Sequence, residues 1–139
     1  MADSFEGLPP PNVSKYPEDE GVNLFLFPQL AISMEQVQRN FSKYGLLDNQ
    51  VVFLKGFFST TLPTAPIDRL AILRLDGDLY ESTMDALVNL YPKLSEGGFV
   101  IVDDYFMTSC SRAVHDYMHA HNINSPLIPI DTGSVYWKK

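Results

Sequence analysis

Four aspartates stand out by type and spacing. Asp76-Gly77-Asp78 closes one short apolar run, Leu70 to Leu75, and Asp103-Asp104 closes another, residues 99–102. Short apolar runs bounded by turn signals read as buried strands. Carboxylates gathered in one place repel, and ionising all of them is costly unless a proton or a cation compensates. A hard divalent cation such as Mg2+ takes oxygen ligands and keeps coordination positions open for substrate oxygens. The plainer reading is that Asp-Gly-Asp is a turn and Asp103-Asp104 caps a following helix, since aspartate is common in both roles.

The elements around these residues decide whether they meet. Between the two runs, Tyr80, Met84, Leu87, Val88, Tyr91 and Leu94 recur at three- and four-residue steps. That spacing predicts a helix over 80–94 with one apolar face. Strand, helix and strand of this length predict a βαβ unit whose two parallel strands end at the same sheet edge. In open α/β sheets ligands sit beyond the carboxyl ends of the strands. All four aspartates are therefore expected at one functional edge.

The rest of the chain reads in order. Asp3 to Gly7 followed by prolines looks like a strand end running into a rigid loop. Residues 11–29 are Pro-rich and acidic, and their apolar Leu24-Phe25-Leu26-Phe27 suggests a lid or a contact between copies in a homo-oligomer. Ser33 with Gln36 fits a capping box for a helix over 33–44, with Met34, Val37, Phe41 and Tyr44 on one face and Gly45 ending it. A strand is expected over 51–57, with Gly56 allowing close backbone approach. Ser109 is expected to cap a helix over 110–121 with Ala113, Val114, Tyr117 and Met118 inward. His115 and His119 lie one turn apart on it, but without a third nitrogen or thiolate they read as a solvated face. Residues 126–131 and 134–138 predict a terminal hairpin about Thr132-Gly133. The fold class is α/β: a mostly parallel sheet with the last strand antiparallel.

Composition sets the outer limits. The 139 residues suffice for a single domain, 1–139. A net charge of −7 argues against a nucleic-acid partner, which demands clustered Lys and Arg. The apolar runs are far short of the ~20 residues needed to span a bilayer. No basic, apolar signal sequence opens the chain, so a cytoplasmic location is the default expectation. Cys110 is the sole cysteine, which leaves no intrachain disulfide and no thiolate metal site.

With that order in place, the chain resembles the macrocin-type O-methyltransferases, the TylF/MycF family. The resemblance is carried by ADSFEGLPPP (2–11), YGLLDNQVVFLKGFF (44–58), LRLDGDLYESTMDALVNLYPKLSEGGFVIVDDY (73–105) and PIDTGSVYWKK (129–139). It implies a class I, Rossmann-like fold and methyl transfer from S-adenosyl-L-methionine to a small-molecule acceptor, a sugar hydroxyl, with Mg2+ assisting. It further implies Asp76, Asp103 and Asp104 as metal ligands, Asp3 facing the cofactor ribose, and Gly56, Phe57 and Phe58 lining the adenosine pocket. Two departures from the family accompany it. The family's first strand and glycine-rich turn have no counterpart here, so a partial domain with weak cofactor binding is expected. The family is also thought to take its base from a lid histidine, and residues 20–31 contain none. Proton acceptance is left between Asp76, the catalytic candidate, and a water on the metal. Two other functions compete: a truncated, non-catalytic remnant, and a phosphotransferase of the haloacid dehalogenase type with Asp76 as nucleophile and Asp78 as acid. Against the second, Tyr80 stands where that type usually has Thr, and no room is left for its flap.

Overall fold

The computed structural model describes residues 1–139 as two compact units, Met1–Pro10 with Val22–Ala65, and Pro11–Gly21 with Pro66–Lys139.

In the first unit, β1 (Ala2–Asp3) pairs in parallel with β2 (Leu54–Lys55). This two-stranded ribbon is a sheet of its own, not part of the single sheet expected from the sequence. The expected strand over 51–57 shrinks to two residues because its partner is only two residues long. Phe57 then turns into a short helix, α2 (Phe58–Thr61). Phe5 is buried, and its ring lies 6.1 Å from that of Phe53, which lies 6.0 Å from Phe41. Helix α1 (Met34–Lys43) starts as predicted, with Ser33 Oγ accepting from the Gln36 amide at 3.3 Å. Only half of the capping box forms, since the Gln36 side chain donates forward to Asn40. Gly45 ends the helix at φ +67°, with Leu46 N bonded to Phe41 O and Gly45 N to Ser42 O. That is a Schellman closure, which needs the left-handed backbone glycine adopts freely. The apolar stripe of α1 is not buried, and Tyr44 is 72% exposed.

The second unit holds a four-stranded sheet in the order β3-β4-β6-β5: Leu70–Leu75, Leu94–Val102, Val135–Lys138 and Ile128–Pro129. β3 and β4 pair in parallel, while β6 pairs antiparallel with both β4 and β5. Three of the four strands thus point the same way and only the last, β6, is reversed, as expected. β4 begins at Leu94, inside the helix expected over 80–94, and Gly97-Gly98 lie within the strand, where the register with β3 slips between Leu70 and Ile72. A side chain at Gly98 would meet Ala71 O and Leu94 Cδ1 at 2.8 Å, so this bulge packs only around glycine.

One sheet face carries the core: Leu73, Leu75, Val100, Val102, Val135 and Trp137 are buried. Helices α3 (Tyr80–Leu90) and α4 (Thr108–Ala120) contribute further buried residues, joined by Leu79, Tyr91 and Leu94, and β3 alternates between this side and an open side bearing Ile72 and Arg74. The buried stripe of α3 is Thr83, Ala86, Leu87 and Leu90, while Val88 is half exposed. The stripe is rotated from the expected one because small residues face α4, where Thr83 Oγ1 donates to Cys110 Sγ at 3.4 Å. The α4 residues Ala113, Val114, Tyr117 and Met118 are buried as predicted. Ser109 is not the cap: α4 starts at Thr108, and the buried Ser109 hydroxyl donates to Asp78 O at 2.8 Å.

Candidate active site

Both parallel strands stop where their aspartates begin. The Asp103 amide still donates to Leu75 O at 3.0 Å, so the ladder runs to the first carboxylate and then opens. The four acids sort into two pairs. Asp76 and Asp103 share one partner: Arg74 Nη1 lies 3.1 Å from Asp76 Oδ2, and its Nη2 pairs with Asp103 Oδ2. Asp78 and Asp104 face each other, with the Asp78 amide 3.4 Å from Asp104 Oδ2. The sequence joins Asp76, Asp103 and Asp104 into one ligand set. The structure brings them to one edge but does not converge them: no group of three or more His, Cys, Asp or Glu stands ready to hold a metal.

Electrostatics ties the four together. Burial, with the charges of Asp78, Asp76 and Asp103 behind it, pushes the Asp104 carboxyl up to about 6. Burial and then Asp76 raise Asp78. At neutral pH this edge is short of positive charge, which a proton or a cation would relieve. Its donors are all carboxylate oxygens, the set that suits Mg2+. The residues therefore fit the ion as donors, and Arg74 stands between two of them.

The turn that carries Asp76 and Asp78 is pinned from several directions. Asp78 sits at φ +59°, a left-handed conformation that aspartate tolerates better than most residues. Its carbonyl accepts from Ser109, and the Leu79 amide closes on Gly77 O at 2.6 Å. Helix α3 has no side-chain cap of its own. Asp19, fully buried, takes that role from afar: its Oδ1 accepts from the Tyr80 amide at 2.6 Å and its Oδ2 from the Glu81 amide at 3.3 Å. Sequence reading missed Asp19, since a cap 61 residues away leaves no local signal. It also missed Arg74, whose only signal is a charge inside an otherwise apolar strand.

The histidines behave as a solvated face. His115 and His119 are exposed, and His115 Nε2 lies 2.8 Å from the Tyr105 hydroxyl.

The residues expected around the cofactor lie in the first unit, and strand pairing brings them together. Asp3 is paired with Lys55, and the Gly56 amide donates to Asp3 O at 2.9 Å. Asp3 is exposed, with Oδ1 taken by the Phe5 amide at 2.6 Å. Gly56 has φ +138°, and a Cβ there would meet Thr61 Cγ2 at 2.7 Å. Phe57 is 40% exposed, and Phe58 opens α2 beside it. An exposed carboxylate beside a glycine turn and an open aromatic ring suits a ribose and an adenine.

Comparison with known proteins agrees with the fold. The O-methyltransferase NovP superposes with a TM-score of 0.95 at 54% identity, over 99% of this chain and 58% of that one. The calicheamicin methyltransferase CalS11 superposes at 0.72 with 21% identity, again over 99% of this chain and 58% of that one. The fold is that of the class I S-adenosylmethionine-dependent O-methyltransferases. The family model for macrocin O-methyltransferase (TylF) matches residues 1–139, and the chain belongs to that family. The mycinamicin III 3''-O-methyltransferase of Micromonospora griseorubida is 49% identical over the full chain and 56% of its own length. The demethyldecarbamoylnovobiocin O-methyltransferase of Streptomyces niveus is 54% identical over the full chain and 54% of its length. The chain thus spans about half the length of the curated relatives it matches. Membership of this family overturns the phosphotransferase reading, and α3 beginning two residues after Asp78 leaves no room for that chemistry's flap. No helix is long and apolar enough to cross a membrane.

Proposed function

We propose that this protein is an S-adenosylmethionine-dependent O-methyltransferase that methylates a sugar hydroxyl of a glycosylated natural product, with Mg2+ assisting. The observation that carries the reading is the aspartate edge at the ends of β3 and β4, in a chain about half identical to enzymes named for O-methylation of such compounds. Identity of this order along the whole chain favours a working member of the family over a non-catalytic remnant.

Asp76, Asp103 and Asp104 would hold the ion, which when bound lowers the pKa of a hydroxyl and fixes its orientation. The chain's own groups do the rest. The carboxylates at the strand ends would position the acceptor hydroxyl. One C–O bond forms as the S–CH3 bond breaks, and S-adenosylhomocysteine leaves with the electron pair. Asp76, exposed at the end of β3, accepts the hydroxyl proton. Asp3 receives the ribose hydroxyls, and Phe57 and Phe58 flank the adenine next to Gly56. The cofactor supplies the methyl group, while the protein supplies position and charge.

The test is transfer of radiolabelled methyl from S-adenosylmethionine to mycinamicin III or demethyldecarbamoylnovobiocin. Label in an acceptor, lost in Asp104→Asn and with chelator, is the expected result. Label that survives both changes would remove the metal from the account, and no label in any glycosylated acceptor would refute the activity.

A further inference from the structure

Arg74 occupies an unusual place. It is the one cation in β3, on the open side of the sheet opposite Ile101. It reaches Asp76 with one guanidinium nitrogen and Asp103 with the other. These two acids directly follow neighbouring strands and are two of the three carboxylates proposed above for the metal. The guanidinium is planar, delocalised and never deprotonated in a protein, so it can give up these partners only by moving. Nothing prevents that movement, since the side chain is 55% exposed and Asp76 is 52% exposed. Exposed ion pairs of this kind are weak.

We propose that Arg74 is a positioning residue: a built-in counter-cation that holds Asp76 and Asp103 side by side while the divalent ion is away, and that yields both carboxylates when the ion binds. The proposal rests on the metal reading above. It accounts for two features together. The carboxylates meet at one edge without converging on a common point, because a bulkier cation bridges two of them. Asp104, the third, has no cation and faces Asp78 instead. The same side chain therefore prevents repulsion across the strand ends and competes with the metal for them.

The test uses Mn2+ alone as the probe, with no cofactor, no acceptor and no turnover, and reads free Mn2+ by electron paramagnetic resonance. Arg74→Met keeps the apolar stem and removes the charge. Freeing one exposed carboxylate, Asp76, and one half-buried, Asp103, should tighten Mn2+ binding by about 2- to 30-fold. Arg74→Lys keeps the charge without the fork, should fall between the two, and serves if the methionine variant does not fold. In low salt without metal, Arg74→Met should melt below wild type, and saturating Mn2+ should close the gap. A purely structural role would lower stability without raising metal affinity. Equal or weaker Mn2+ binding by both variants, with wild type binding normally, would overturn the counter-cation role and leave the metal reading standing. Binding by none of the three proteins would overturn the metal reading, and this inference with it.

Discussion

Asp19→Ala should destabilise the second unit more than an ordinary surface change. Asp19 is fully buried and accepts two amide bonds at the start of α3, at 2.6 and 3.3 Å. Replacing a capping aspartate by alanine costs about 0.5–2 kcal/mol. Here the 2.6 Å bond is charge-assisted, a class worth ~1.5–3 kcal/mol, and the first amide of the helix is left without its acceptor. Against this stands the cost of burying the carboxylate, which raises its pKa despite both amide bonds. A net loss of about 2 kcal/mol follows, or roughly 4–10 °C in melting temperature for a chain of this size. Asp19→Asn retains an acceptor oxygen and should lose about half as much. The sign with pH is also fixed. A carboxyl with a raised folded pKa stabilises the fold most below the ordinary aspartate value, and that stability is lost as pH rises through the raised pKa. The wild-type advantage over Asp19→Ala should therefore shrink over that window. Urea titrations at several pH values measure it, and hydrogen exchange at the Tyr80 and Glu81 amides locates it. A loss under about 0.5 kcal/mol, with unchanged exchange at both amides, would refute the remote-cap argument.

Three further outcomes are expected. Gly98→Ala should cost about 2–3 kcal/mol in a urea melt, because its Cβ would press on Ala71 O at 2.8 Å and Ser95 O at 2.9 Å; a neutral result would mean that the bulge relaxes. Cys110 is buried with its thiol raised to about 11, so it should resist a thiol reagent at pH 8 until denaturant is added; prompt reaction of native protein would contradict its place between α3 and α4. The Asp104 carboxyl should titrate near 6 by carbon-detected NMR in metal-free protein, and lower in Asp78→Asn, which removes a neighbouring charge that raises it; because that pKa is raised, its contribution to stability is lost as pH climbs from about 4 through 6.

How much was legible follows from which signals are local. The strand over Leu70–Leu75, the inner face of α4, the Ser33 cap and the Gly45 closure all depend on residues a few positions apart, and all are in the structure as read. β4 starts at Leu94, ahead of its apolar run 99–102, because the bulge at Gly97-Gly98 takes its register from β3, a contact distant in sequence. The strand over 51–57 was overread for a similar reason: Val51 to Phe58 has the composition of a long strand, but its length is set by a two-residue partner distant in sequence. At the site, the four aspartates were visible as a cluster because the βαβ pattern puts both strand ends at one edge. Their division into pairs was not, since it depends on Arg74, a single charge in a strand. The tie from Asp19 to α3 spans a Pro-rich loop with no periodicity, where sequence patterns carry no contact information.

The central claim, that Asp76, Asp103 and Asp104 share one cation, is tested most directly by anomalous diffraction from crystals of the protein soaked in Mn2+. The account predicts one strong anomalous peak about 2.0–2.2 Å from a carboxylate oxygen of each of the three aspartates, with the Arg74 guanidinium moved off Asp76 and Asp103. A peak elsewhere on the molecule, or saturating Mn2+ with Arg74 still bridging the two acids and no peak between the strand ends, would contradict it.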